Sequence, residues 1–192
     1  WKDFQARNNN ELVAILGNFV NRAVVLTHKY FDGKVPTSDF DQDVLSEVTA
    51  HYEKVASNLD KFSFRQALAD AMNVARIGNK YLADNEPWKT IKTDEVAAQK
   101  VISTSLVIAE HLKNVIAPFL PNTSEKLALI LNVSGANWNA ESTIALGHQL
   151  NAAELLFTKF EDEDVEKQVE KLKQASAAIQ TVTLEPAKPE TT

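Results

Sequence analysis

The stretch NNNELVAILGNFVNRAVVLTHKYFDG, residues 8–33, decides the fold. Within it Leu12, Leu16, Phe19, Ala23, Leu26 and Tyr30 recur at spacings of three and four, which lays them along one face of a helix. The spacing predicts an amphipathic helix from Glu11 to about Phe31, with Asn8 or Asn10 as its cap and Asp32-Gly33 as its stop. The opposite face carries Glu11, Ala14, Asn18, Asn21, Arg22 and Lys29. One buried stripe needs partner helices, and the rest of the chain supplies them.

After the polar loop GKVPTSDFDQ, a run of Val44, Leu45, Val48, Tyr52, Val55 and Leu59 predicts a second helix over roughly 41–58. Ser63 and Gln66 stand at the spacing of a capping box and open a third, marked by Ala67, Leu68, Ala71, Met72, Ala75, Gly78 and Leu82. That helix should end near Asp84, before Pro87. Thr93, Asp94 and Glu95 suit the first turn of a fourth, where acidic groups meet the positive end of the helix dipole. Val101, Ile108, Leu112, Val115 and Ile116 carry it to Pro118.

The segment PFLPNTSEKLALIL breaks at Pro118 and Pro121 and restarts as a short helix to about Asn132. Residues 133–150 have the Gly, Ser and Asn density of a structured loop. Val165, Val169, Leu172 and Ile179 predict a last amphipathic helix, and EPAKPETT is linker-like. The fold class is therefore all-α: an antiparallel bundle of about four long helices with shorter C-terminal ones. The expected division is a bundle over residues 1–160 and a helix with a linker-like tail over 161–192.

Composition narrows the function. A chain of 192 residues that is 44% hydrophobic can build one sizeable core. It has no cysteine, which excludes disulfide scaffolds, thiolate metal sites and cysteine nucleophiles. His28, His51, His111 and His148 are scattered without metal-ligand spacing, so no metal is expected. No apolar run approaches a membrane span, and the N-terminus lacks a signal-peptide layout. A cytoplasmic protein with no membrane partner is expected. Because the chain opens on Trp1-Lys2-Asp3-Phe4 and not on methionine, an excised piece of something longer is also expected.

The net charge of −6 argues at first against nucleic acid. Residues 1–92, however, carry twelve Lys/Arg and twelve Asp/Glu, against eight and fourteen in residues 93–192. The deficit lies wholly in the second half, much of it in EDEDVEK at 161–167, which leaves the first half able to present a neutral or basic face.

No Gly-rich phosphate loop, nucleophile elbow or framed carboxylate pair occurs, so the chain reads as a binder with no catalytic residue. Asn18 and Arg22, four apart, project side by side. An amide offers a donor and an acceptor, and a guanidinium offers a planar fork that also stacks, a pairing suited to flat base edges. Trp88, at the end of NKYLADNEPW (79–88), supplies an aromatic face of the kind on which single-stranded bases stack.

These residues carry a resemblance. RNNNELVAILGNFVNR (7–22), NKYLADNEPW (79–88) and PFLPNTSEKL (118–127) together resemble the anticodon-binding helical domain of the methionyl-tRNA synthetases, in order and spacing over roughly residues 1–160. The proline-flanked segment is similar to many class I synthetase helical domains, whereas the Gly-Asn-x-x-x-Arg helix with Glu-Pro-Trp points to the methionyl member. The resemblance implies that Asn18, Arg22 and Trp88 contact the CAU anticodon of methionine tRNA, with Pro87 fixing the tryptophan. Basic residues near the same face, Lys29, Lys80, Lys89 or Lys92, are candidate phosphate contacts that would give salt-dependent affinity. The resemblance further implies a parent ligase whose separate catalytic domain, a partner within the same chain, uses ATP and methionine, with zinc a further candidate. The His-Ile-Gly-His and Lys-Met-Ser-Lys-Ser signatures of that domain are absent, so this segment should not aminoacylate and needs no cofactor itself. Where many members have Asn before Leu-Gly-Asn, this chain has Ile15, off the stripe of Asn18 and Arg22; a packing difference is expected there.

Blander readings compete. Tryptophan beside proline at a helix end is commonly a packing staple, and an exposed polar pair four apart is commonly a solvated face. Gly17 and Gly78 read as close helix contacts, Trp138 as a loop anchor, and the histidines as ordinary surface or core residues. Two rival functions stay open on the residues: the anticodon domain of a sister synthetase for valine, isoleucine, leucine or cysteine, and a helical protein-interaction module using the Val165/Val169/Leu172 stripe.

Overall fold

The computed structural model describes residues 1–36, 39–138 and 141–182, with side chains in the last helix as far as 176. A continuous helical rod opens the chain: α1 (Lys2–Arg7), a π-helical stretch (Asn8–Gly17) and α2 (Asn18–Phe31). Then come α3 (Gln42–Asp60), α4 (Phe64–Asn85), the one-turn α5 (Pro87–Thr90), α6 (Glu95–Ile116), α7 (Pro121–Leu131) and α8 (Asp162–Val182). Among the described residues the only strand-like pairing is an isolated antiparallel bridge between Lys34 and Gln149. The all-α bundle expected from periodicity is the observed fold.

Helix α6 is the axis of the bundle. Every residue from Val101 to Ile116 is buried, and α2, α3, α4, α5 and α7 all pack on it. Asp94 caps its start, its carboxylate accepting from the Ala97 amide at 3.0 Å. Four polar residues of this buried helix point into loops and tie them down. The Lys113 ammonium donates to the Ser134 and Gly135 carbonyls at 2.8 and 3.2 Å. Asn114 accepts from the Asn137 amide at 3.0 Å, and Ser103 donates to the Pro36 carbonyl at 3.1 Å. The Glu110 carboxylate gathers the Ser142 hydroxyl, the Thr143 hydroxyl at 2.5 Å, and the Thr143 and Ile144 amides at 2.9 and 3.2 Å. The described parts of the loop over 133–150, residues 133–138 and 141–150, are thus structured because a buried helix supplies partners that their backbone needs. Trp138 anchors it as expected, its ring 4.9 Å from that of Tyr52.

The helix stops follow turn chemistry. Asp32 and Asn132 end α2 and α7 in the left-handed conformation that short polar side chains tolerate. Gly33 follows at φ 76, where an added Cβ would also stand 2.7 Å from the His28 ring.

Three local expectations are corrected. The first helix starts at Lys2, and neither Asn8 nor Asn10 caps it. The amides of Asn8 and Asn9 instead donate to the Thr158 and Phe160 carbonyls at 3.1 and 2.9 Å, pinning the chain's return segment. Asn8 and Asn10 lie inside a continuous helical rod, where main-chain carbonyls serve the backbone amides, so neither position is a helix end that a cap would serve. The rod is also π-helical over Asn8–Gly17, a geometry that a period of 3.6 residues cannot reveal. Third, Ser63 makes no capping bond, and Gln66 turns to Asp70 at 3.4 Å, so the capping box is not formed. Asp70 is buried and collects Asn58 at 2.9 Å as well, a stronger demand than a solvated helix end makes.

Helix α8 is seated on α1 at its first turn. Lys2 pairs with Asp162 at 2.6 Å, Gln5 donates to the Phe160 carbonyl at 3.0 Å, and Phe4 stacks on Phe160 at 5.6 Å. Val165 is buried there, while Leu172 of the same stripe is 54% exposed. The linker-like tail EPAKPETT and the Ile179 side chain lie outside the described residues.

Candidate nucleic-acid interface

The site forms where α2, α4 and α5 meet, and a glycine sets the approach. Phe19 of α2 is fully buried, and its ring lies on Gly78 of α4 so closely that a Cβ at 78 would stand 2.3 Å from it. That contact brings the next residue, Asn79, against the outer face of α2. The Asn79 amide donates to the Ile15 carbonyl at 2.7 Å and to the Ala75 carbonyl one turn back at 3.2 Å. Its own carbonyl accepts from the Asn18 amide at 3.0 Å. Asn18 is the first residue after the π-helical stretch, and its side chain is exposed. Ile15 packs its side chain partly into the core while lending its carbonyl to this network, so the site touches Ile15 through backbone.

Trp88 arrives by a separate device. Helix α4 ends at Asn85, and Glu86 takes φ 40, a left-handed conformation costing about 1 kcal/mol in a non-glycine residue. Pro87 then starts α5 at its first position, where a preset φ and a missing N–H are no handicap. Pro87 is itself buried, and α5 docks on α6. The tryptophan is thereby held with part of its ring on the core and part open. The guanidinium of Arg22 lies over that ring, 4.9 Å from its centroid. Such a cation–π contact is worth about 0.5–1 kcal/mol at an exposed site. The packing staple and the accessible aromatic are therefore one residue, with its inner part anchored and its outer part paired to Arg22.

Asn18, Arg22 and Trp88, separated by up to 70 residues in sequence, thus come to one surface, with Pro87 beneath it. The four lysines divide. Lys80 is paired with Asp84, and Lys89 with Glu86 at 2.7 Å. Lys29 lies 5.0 Å from the centre of the Tyr30 ring, and among the described residues neither Lys29 nor Lys92 makes an ion pair. Arg76, on the α4 face near Glu11, pairs with it at 2.6 Å. Residue spacing alone gives Asn79 no role, although it opens the segment NKYLADNEPW. Its signal is weak because an asparagine inside a helix reads as a low-propensity residue until its neighbours across the groove are known.

Among the described residues no group of three or more His, Asp or Glu is placed to hold a metal ion, and no helix is long and apolar enough to cross a membrane. A hydrophobic groove of about 470 Å³ lies away from Trp88, lined by Phe4, Leu12, Leu68, Met72, Phe119 and Leu120 among others.

The methionyl-tRNA synthetase of Mycobacterium tuberculosis in its apo form superposes with a TM-score of 0.74 over 82% of this chain and 34% of that one, at 20% identity. The same enzyme in complex with methionyl-adenylate gives 0.72 over 79% and 32%, also at 20% identity. At that identity the likeness speaks for the fold. The sequence is more specific: a family model described as the anticodon binding domain of methionyl tRNA ligase matches residues 33–177, and the chain belongs to that family. The methionine–tRNA ligase of Phocaeicola vulgatus is 54% identical over 179 residues, 90% of this chain and 26% of that protein. That of Christiangramia forsetii is 49% identical over 192 residues, 93% of this chain and 28% of that protein. The chain therefore spans about a quarter of the length of the curated relatives it matches. Membership in the methionyl family displaces both rival readings, the sister synthetase and the protein-interaction module.

Proposed function

We propose that this chain reads the CAU anticodon loop of methionine tRNA on the surface formed by Asn18, Arg22 and Trp88. The observation that carries the proposal is the Arg22 guanidinium stacked 4.9 Å over a half-open Trp88, with Asn18 one helical turn away. Three side chains that offer a stacking plane, a planar donor fork and an oriented amide make a site for splayed bases. Arg22 covers Trp88 in the free protein. A base either displaces the guanidinium from the ring or stacks upon it, and both exchanges keep an aromatic or guanidinium plane against the base. On this reading the buried Pro87 and the left-handed Glu86 fix the backbone from which Trp88 projects. Lys29 and Lys92, which make no ion pair among the described residues, are the phosphate contacts that need no prior release, while Lys80 and Lys89 first have to leave Asp84 and Glu86.

Binding here makes no bond. In a complete ligase the catalytic domain of the same protein would activate methionine with ATP and pass it to the tRNA, and the anticodon contacts would select which tRNA is presented. Residues 1–160 would form the reading bundle, with 161–192 as its C-terminal helix and tail. The test is affinity for an anticodon stem-loop bearing CAU against one with a scrambled loop, measured for the wild type, Trp88→Ala and Arg22→Ala. Each substitution is expected to weaken CAU binding by about 1–3 kcal/mol, the range for one stacked base, and to leave the scrambled loop unchanged. Equal losses on both loops would overturn the assignment.

A further inference from the structure

We infer that Asn79 is a positioning residue that fixes the Asn18 amide with its carbonyl oxygen outward, so that Asn18 accepts a hydrogen bond from the exocyclic amine of an anticodon base. The inference rests on the reading under Proposed function and adds a polarity to it. Asparagine is ambiguous in isolation, since rotating its amide exchanges donor for acceptor. Here the ambiguity is removed in two steps. The Asn79 terminus that faces the Ile15 and Ala75 carbonyls, at 2.7 and 3.2 Å, meets two acceptors and must be the NH2 group. Its other terminus, 3.0 Å from Asn18, is then the carbonyl oxygen, and Asn18 must answer it with its own NH2. The Asn18 carbonyl oxygen is left pointing away, on an exposed residue, and accepts no hydrogen bond from the described residues.

The chain of constraint reaches the backbone. Ile15 and Asn18 flank the junction where the π-helical stretch gives way to α2, and the Asn18 backbone N–H there bonds back to Ile15 and Val13. Asn79 spans that junction from the neighbouring helix, and Gly78 permits the approach by leaving room for Phe19. Reversing the Asn18 amide would set two carbonyls face to face, so the outward acceptor is held by the fold.

Cytosine and adenine carry an exocyclic amine where uracil and guanine carry a carbonyl. An outward acceptor at Asn18 favours an amine-bearing base and repels its carbonyl counterpart. The experiment measures affinities of the protein for CAU, UAU and CGU stem-loops, which lose the amine at the first or the second anticodon base. Wild type should prefer CAU. In Asn79→Ala the preference over one of the two altered loops should fall by about five- to tenfold, the scale of one oriented hydrogen bond, while affinity for that altered loop rises or stays within about twofold. The double variant Asn18→Asp with Asn79→Ala should recover the preference, because a carboxylate presents an acceptor whichever way it turns. Should the alanine variant fail to fold, Asn79→Ser, whose hydroxyl can donate to the Ala75 carbonyl, is read in the same way. An Asn79 variant that keeps wild-type preference, or that weakens all three loops equally, overturns the inference and leaves the anticodon reading standing. A wild type without preference for CAU sinks the anticodon reading itself.

Discussion

Gly78→Ala is expected to loosen both the bundle and the site, because one methyl group has nowhere to go. The added Cβ would lie 2.3 Å from two carbons of the Phe19 ring and 2.7 Å from a third, and Phe19 is fully buried. Alanine gains about 0.5–1 kcal/mol of helix propensity over glycine. Overpacking a filled core costs about 1–3 kcal/mol. The balance is a loss of about 1–2 kcal/mol, which for a chain of this size lowers Tm by about 3–6 °C. Gly17→Ala is the comparison, since its Cβ would meet Leu12 and Phe157 at 3.2 and 3.3 Å and the neighbours need give only a few tenths of an ångström. Urea unfolding followed by helical circular dichroism measures both. Phe19→Leu should reduce the penalty at position 78, so the double variant is less destabilised than the sum of the singles. If Gly78→Ala is as stable as wild type, the close α2–α4 approach does not set the geometry of Asn79 and Asn18, and the placement of both amides has another cause.

Acid should destabilise the fold in two windows. Burial lowers the His111 pKa below its ordinary 6.5, with Lys113 adding to the shift and Glu110 opposing it. The unfolded chain thus binds the proton more readily, so this contribution is full above about pH 6.5 and is lost as pH falls below it. Burial pushes Glu110 up, but the bonds from Ser142, Thr143 and Ile144 outweigh it and hold its pKa below 4.5. Its stabilisation is accordingly present above about 4.5 and lost as pH falls through the lowered value. A Tm profile from about pH 7.5 to about 3.5 should fall in both windows, and Glu110→Gln should flatten the lower one while reducing Tm at neutral pH. Lys92→Ala should lower the salt slope of stem-loop affinity by about one, uniformly across loop sequences. Lys89→Ala should change it less, since Lys89 already neutralises Glu86; equal slopes for both would place the phosphates elsewhere.

The bundle was legible because its signal is periodic. The stripe from Leu12 to Tyr30, the stop at Asp32-Gly33 and the acidic start of α6 follow from residue spacing and backbone chemistry, and they appear as expected. What stayed hidden depends on contacts between distant segments. Asn8 and Asn9 serve the return segment near Phe160, Gln66 turns to a buried Asp70, and Asn79 bridges two helices. An amide side chain can satisfy so many partners that its neighbours in sequence do not determine which it takes. The one-turn helix bearing Trp88 was likewise hidden, because its launch depends on a glutamate in a left-handed conformation that no composition rule favours. The proximity of Arg22 to Trp88 could be expected only through resemblance, since 66 residues separate them.

The most direct measurement is the fluorescence of Trp88 alone, with Trp1 and Trp138 replaced by phenylalanine, during titration with CAU and scrambled stem-loops at low salt. A base that reaches the ring must disturb the indole and the Arg22 lying over it. Quenching by the CAU loop only, abolished by Arg22→Ala, is the predicted result; identical responses to the two loops, or none to either, would show that Trp88 serves packing and that the anticodon is read elsewhere.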